Sequence, residues 1–160
     1  MKMEHSGRGG KEELVQLARI RAAQYELDPA LVCAVCEQES GWNPWASRFE
    51  PGFQSKYVHP LVARREIKSF GASLATEIVQ RSCSFGLMQI MGQVARELEC
   101  TAAFLTELCN PEVGLEYGCI QLKRKLEAAN QNVQTALLRY NGGGDPAYPA
   151  KVLARMEAYR

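Results

Sequence analysis

The chain is 160 residues long, a length that one hydrophobic core serves, and its 46% hydrophobic and 23% charged residues exclude a disordered or fibrous chain. Nineteen basic against eighteen acidic side chains leave a formal charge of +1, which supplies no general field for a polyanion and sets nucleic acid aside as a partner. No run approaches the roughly 20 apolar residues of a membrane helix, and the opening MKMEHSGRGGKEE lacks the apolar stretch of a secretory signal. Cytoplasmic storage without stable membrane insertion is therefore the expectation.

Residues 1–10 read as a flexible lead and 11–160 as one domain. Over 11–26, Leu14, Leu17, Ala18, Ala22 and Tyr25 share a stripe at helical spacing. Asp28-Pro29 then restarts a helix over 29–40, because Asp is a good N-cap and Pro suits the first helical position, and Gly41 is its C-terminal cap. Residues 41–59 hold two prolines, two glycines and five aromatics without clean periodicity, the mark of a loop or small irregular sheet. Helical runs follow at 60–69, 72–82 and 86–98, with a short piece at 101–108. Asn110-Pro111 opens another helix, and 132–140 and 149–159 complete the set around the Gly142-Gly143-Gly144 turn. The class is mainly α, with room for a small β-hairpin.

Residues 41–70 carry a local excess of three positive charges from Arg48, Lys56, Arg64, Arg65 and Lys68. A solvated basic loop is the plainer reading, and contact with an anionic polymer the sharper one. The six cysteines read as reduced, mostly buried thiols, because a chain this long needs no staples. Cys33 and Cys36 share a CxxC spacing, but zinc needs four ligands, no second pair exists, and the only histidines are His5 and His59. No metal or other cofactor is expected.

On a helical wheel at about 100° per residue, Val32, Val35, Cys36 and Glu39 share one sector and Glu37 lies on the far side. A carboxylate on an apolar face, in the last turn of a helix, is disfavoured as an anion by desolvation and by the negative dipole end. A carboxylic acid that keeps its proton near neutral pH is what general-acid cleavage of a glycosidic bond requires. The bland alternative is a buried Glu satisfied by backbone donors or an arginine.

Three motifs follow one another along the chain. Glu39-Ser40-Gly41-Trp42-Asn43-Pro44 matches the pattern E-S-x-x-N-P. Gly86-Leu87-Met88-Gln89-Ile90-Met91 stands behind Ser84, and Tyr140-Asn141-Gly142-Gly143 precedes Tyr148-Pro149. In this order they resemble the soluble lytic transglycosylases, and goose-type lysozymes and many phage endolysins share the scaffold. The resemblance implies an α+β, lysozyme-like helical domain that acts on peptidoglycan glycan strands, cleaving the β-1,4 bond between N-acetylmuramic acid and N-acetylglucosamine. Residue by residue it implies Glu39 as the catalytic acid and base. Ser84, Met88, Gln89, Tyr140, Asn141 and Tyr148 would be the substrate-binding residues. A monomeric phage-type endolysin, stored in the cytoplasm and released at lysis, fits this reading.

The chain departs from the pattern at three places. Gly92 replaces the proline that commonly follows the second motif, Met91 stands where goose-type lysozymes carry an acid, and the segment before Tyr148 is short. An inverting hydrolase on the same scaffold remains the first alternative and needs a second carboxylate. Glu50 is the best candidate, with a solvated or ion-paired loop acid as its bland reading, and Glu77 is a distant second. A non-catalytic wall-binding module is the alternative from another class.

Overall fold

The computed structural model describes residues 9–160. Apart from Gly9 and Gly10, the flexible lead expected at 1–10 lies outside the described residues, as does His5. The chain divides into two compact units, one reaching to Trp42 and resuming over Cys119–Arg160, the other formed by Asn43–Gly118. The elements are those of the α+β lysozyme-like class: helices throughout and one small antiparallel sheet.

In the first unit, α1 (Gly9–Gln24) and α9 (Tyr148–Met156) both pack on α2 (Pro29–Ser40), and α8 (Val133–Tyr140) packs on α9. The ends of α2 fall where its local signals place them. Asp28 accepts a hydrogen bond from the Ala30 N–H at 2.8 Å, Pro29 opens the helix, and Gly41 caps it in the left-handed conformation. Every residue from Ala30 to Cys36 is buried, so α2 is surrounded on all sides and turns polar only in its last turn. That burial is the main stabilising term, at roughly 25 cal/mol per Å² of apolar surface.

The second unit is built on strands β1 (Ser47–Phe49), β2 (Cys83–Phe85) and β3 (Ile90–Met91), antiparallel in that order, with Arg48 opposite Ser84 and Ser84 opposite Met91. Around it lie α3 (Pro51–Phe53), a π turn (Gln54–Val58), α4 (His59–Ala63), α5 (Leu74–Arg81), α6 (Gly92–Glu97) and a 3-10 turn (Leu105–Cys109). The long helix α7 spans Pro111–Ala128.

Three sequence expectations are corrected here. Residues 51–63, most of them expected as loop, are helical: Pro51 and Pro60 each sit in a first turn, and the π turn between them shifts the 3.6-residue periodicity that would have revealed the run. The helix expected over 60–69 stops at Ala63, because Arg65 adopts φ 57° and the Glu66 N–H closes back onto the Leu61 carbonyl at 2.9 Å. The helix expected over 86–98 begins only at Gly92, since its first half turns between β2 and β3.

Gly92 itself has a structural reason. A Cβ there would stand 2.2 Å from the Gln80 carbonyl oxygen and 2.9 Å from Leu105 Cδ1, so the departure from the family's proline lets α5 and α6 approach. The same pair of helices is tied by a buried ion cluster. Glu77, fully buried, accepts from Arg81 Nε and Arg96 Nε, both at 2.8 Å, and from a second Arg96 nitrogen at 2.9 Å. Arg81 also donates to Gln93 and to the Lys68 carbonyl. Glu77 is thereby a structural ion-pair partner, which removes it as a candidate base.

Candidate active site

Glu39 lies in the last turn of α2, where the helix first emerges from the core. The Tyr148 hydroxyl donates to Glu39 Oε1 at 2.5 Å. Tyr148 is the first residue of α9, almost wholly buried, and the preceding turn is built to place it there. Asn141 caps the end of α8 and accepts from the Asp145 N–H at 3.1 Å, while Asp145 accepts from the Ala147 N–H at 2.9 Å and pairs with Lys151 at 2.6 Å. The short segment before Tyr148 is thus closed by its own polar groups. Asn141 is exposed, with its side-chain oxygen engaged in that turn.

Tyr140, the last residue of α8, belongs to the same cluster. Burial, then the Glu39 charge and Tyr148, push its phenol well up. Burial and the same carboxylate push the Tyr148 phenol up as well. Both phenols are thereby held in the protonated form, and the Tyr148 hydroxyl is the donor that meets the Glu39 carboxyl. A half-buried carboxyl group that meets a neutral hydroxyl is chemically suited to passing a proton to and from a substrate oxygen. Glu37, which the wheel puts on the other side of α2, is equally half-buried but is engaged elsewhere, with Lys11 at 3.4 Å.

The remaining sequence-selected residues lie in the second unit. Ser84 is buried in β2 and its hydroxyl donates to Gln89 Oε1 at 2.9 Å. Gln89 Nε2 donates to the Ala46 carbonyl at 3.0 Å and to the Gly86 carbonyl at 2.9 Å. Its backbone is left-handed, at φ 49°. Gln89 is the clamp that holds the 86–89 turn against the chain entering β1, and Ser84 orients that clamp. Met88 is fully buried, its side chain filling the space left by Gly118. Glu50 is paired with Arg48 at 2.5 Å and its N–H donates to the Ser82 carbonyl at 2.9 Å. Arg64 is similarly paired with Glu66 at 2.8 Å, so two of the five cations of the basic stretch are neutralised within their own loops.

All six cysteines are free, five of them buried and Cys83 half-buried. Burial raises the Cys33 thiol to about 11 and the Cys119 thiol to about 12, and holds Cys36, Cys83 and Cys109 above the ordinary range. These five are poor thiolates in the neutral range. Among the described residues no group of three or more His, Cys, Asp or Glu side chains is arranged to hold a metal ion.

The helical α+β fold is of the lysozyme-like class, and a tyrosine-held carboxyl stands at the end of α2. The family model described as Transglycosylase SLT domain matches residues 16–152, and the chain belongs to that family. It is thus an enzyme of the lytic transglycosylase class, whose substrate is peptidoglycan. No curated protein and no solved structure shows a significant match to it.

Proposed function

We propose that the chain is a monomeric lytic transglycosylase that cleaves the β-1,4 bond between N-acetylmuramic acid and N-acetylglucosamine and leaves a 1,6-anhydromuramoyl end. Glu39 first donates its proton to the glycosidic oxygen as the bond to C1 breaks. The carboxylate then takes the proton of the muramic acid C6 hydroxyl as that oxygen closes onto C1, so no water is consumed. The Tyr148 hydroxyl steadies Glu39 Oε1 through both steps. The observation that carries this reading is the contrast among three carboxylates. Glu39 accepts from the Tyr148 hydroxyl, whereas Glu50 and Glu77, the two candidates for a hydrolytic base, are each engaged by arginine. With Glu50 and Glu77 both committed to arginines, attack by the substrate's own hydroxyl is favoured over water activated by either of them.

The biological role that fits best is a bacteriolytic endolysin of phage type, held in the cytoplasm until release. Six free thiols, five of them buried, suit synthesis and storage in a reducing compartment. Mass analysis of soluble fragments from a peptidoglycan digest tests the chemistry. Fragments lighter by one water than hydrolysis products are expected; reducing-end muramic acid as the main product would instead establish the inverting muramidase, and no soluble fragments a wall-binding module. For the role, cells expressing the chain in the cytosol should lyse only once their inner membrane is permeabilised.

A further inference from the structure

The segment after the matched span holds a second grip on α2. Tyr159 lies in the 3-10 turn Glu157–Tyr159 that continues α9, and it is buried. Its hydroxyl accepts from Trp42 Nε1 at 2.8 Å, the two rings lying 5.8 Å apart at 58°. The same hydroxyl faces the Glu37 carboxylate. Burial above all, with Glu37 adding to it against a lowering by the Trp42 indole, pushes the phenol up to about 12. The Tyr159 carbonyl in turn accepts from Arg19 of α1 at 2.5 Å. Trp42 is buried in a left-handed conformation, φ 66°, directly behind the Gly41 cap.

The helix α9 and its extension therefore touch the end of α2 at two places. Tyr148 meets Glu39, and Tyr159 meets Glu37 and Trp42, which bracket Glu39 in the chain. Side-chain packing seats the two helices, and two separated hydrogen bonds fix their register and rotation more closely than one does. We propose that Tyr159 is a positioning residue for glycan cleavage: its hydroxyl sets the register of α9 on α2 and through it the hydrogen bond from Tyr148 to Glu39. The inference rests on the reading of Glu39 as the acid and base.

A hydrogen bond donated to a carboxylate favours its ionised form, so a loosened Tyr148 contact makes Glu39 ionise at higher pH. Tyr148 from α9, Tyr140 from α8 and Cys36 from its own helix feel the Glu39 charge, and burial keeps all three protonated in the neutral range.

Tyr159→Phe removes the hydroxyl and keeps the ring on Trp42. On soluble glycan strands the Glu39 limb of the kcat/KM profile should move up by about half to one pH unit. In the same variant kcat should fall roughly three- to tenfold with KM changed by less than about twofold. Tyr148→Phe should move the limb in the same direction, and the double variant no further than Tyr148→Phe alone. A Tyr159→Phe enzyme with a lowered Tm but an unchanged pH profile and kcat overturns the inference, as does a shift that simply adds to that of Tyr148→Phe. Should Tyr159→Phe fold poorly, Trp42→Phe removes the bond from the other side and is read by the same criteria. Cleavage retained in Glu39→Gln would instead defeat the assignment of the acid, a separate outcome.

Discussion

Gly118 and Met88 interlock: a Cβ on Gly118 would stand 2.2 Å from Met88 Sδ and 2.8 Å from Met88 Cβ. The methionine of the second motif is fully buried there, so its first duty is to anchor the 86–89 turn to α7. Gly118→Ala should destabilise by about 1–3 kcal/mol through overpacking, measured by denaturant unfolding. Adding Met88→Ala to that variant should cost less than the sum of the two single changes, because the space the one needs is the space the other vacates. Strict additivity would contradict the contact.

Glu39→Gln should lower cleavage by roughly 10²–10⁴-fold, since the amide matches the carboxyl in shape and cannot pass a proton. The melting temperature should hold. Glu50→Gln should keep most of the activity, because the carboxylate it removes is already committed to Arg48 at an exposed site. A turbidity assay on both variants checks this, and comparable loss in the two would point to a carboxylate pair and a hydrolytic reaction.

The Glu77 cluster ties stability to pH. Burial alone would raise the Glu77 carboxyl, but the hydrogen bonds and charges of Arg96 and Arg81 outweigh it and hold it below the ordinary range. A group lowered in the folded state contributes stability above its unfolded value, about 4.3 for glutamate, and loses that contribution as pH falls through the folded one. Unfolding free energy should therefore decline below pH of about 4. Glu77→Gln should cost about 3–5 kcal/mol at neutral pH, by leaving two buried guanidinium groups without their counter-charge, and should flatten the acid decline. A Glu77→Gln curve parallel to wild type would show that the acid sensitivity lies elsewhere.

Thiol chemistry gives a further check on the packing. Cys83 is the half-buried thiol, while the other five are buried. In the native protein one thiol should react quickly with an aromatic disulfide reagent and five slowly, and all six should react after unfolding. A strong reductant should leave Tm unchanged, since no cross-link constrains the unfolded chain. Fast native reaction of several thiols, or a Tm lowered by reductant, would contradict the arrangement.

The parts of the molecule legible in the sequence are those encoded by neighbours. Asp28, Pro29 and Gly41 act within one turn of where they stand, so the bounds of α2 and the place of Glu39 in its last turn could be read directly. The order of the three motifs was enough to mark the family, because short polar and glycine patterns survive as local signals. Helix ends were less legible wherever a residue other than glycine took the left-handed position: Glu26, Arg65, Glu99 and Asn130 all do so behind helices. Each strained φ is compensated by a bond back into the preceding turn, such as Cys100 N–H to the Ala95 carbonyl at 3.0 Å. Composition does not announce that exchange.

What the tertiary structure alone decided is which partners the polar groups meet. Residues 86–91 are apolar enough to suit a helix, and they form a turn and a strand because β2 pairs with β1 and Gln89 reaches the Ala46 carbonyl, 43 residues away. Glu37 and Glu39 differ in the sequence only by a rotation about the helix axis. Tyr148, 109 residues along the chain, holds Glu39, while Lys11 and Tyr159 engage Glu37. A side chain's type and its face on a helix are local properties, fixed by covalent geometry and short-range bonds. Its hydrogen-bond partner, and with it the ease of moving a proton, depends on how distant segments are brought together by burying apolar surface, a non-directional force that carries no signature at either residue.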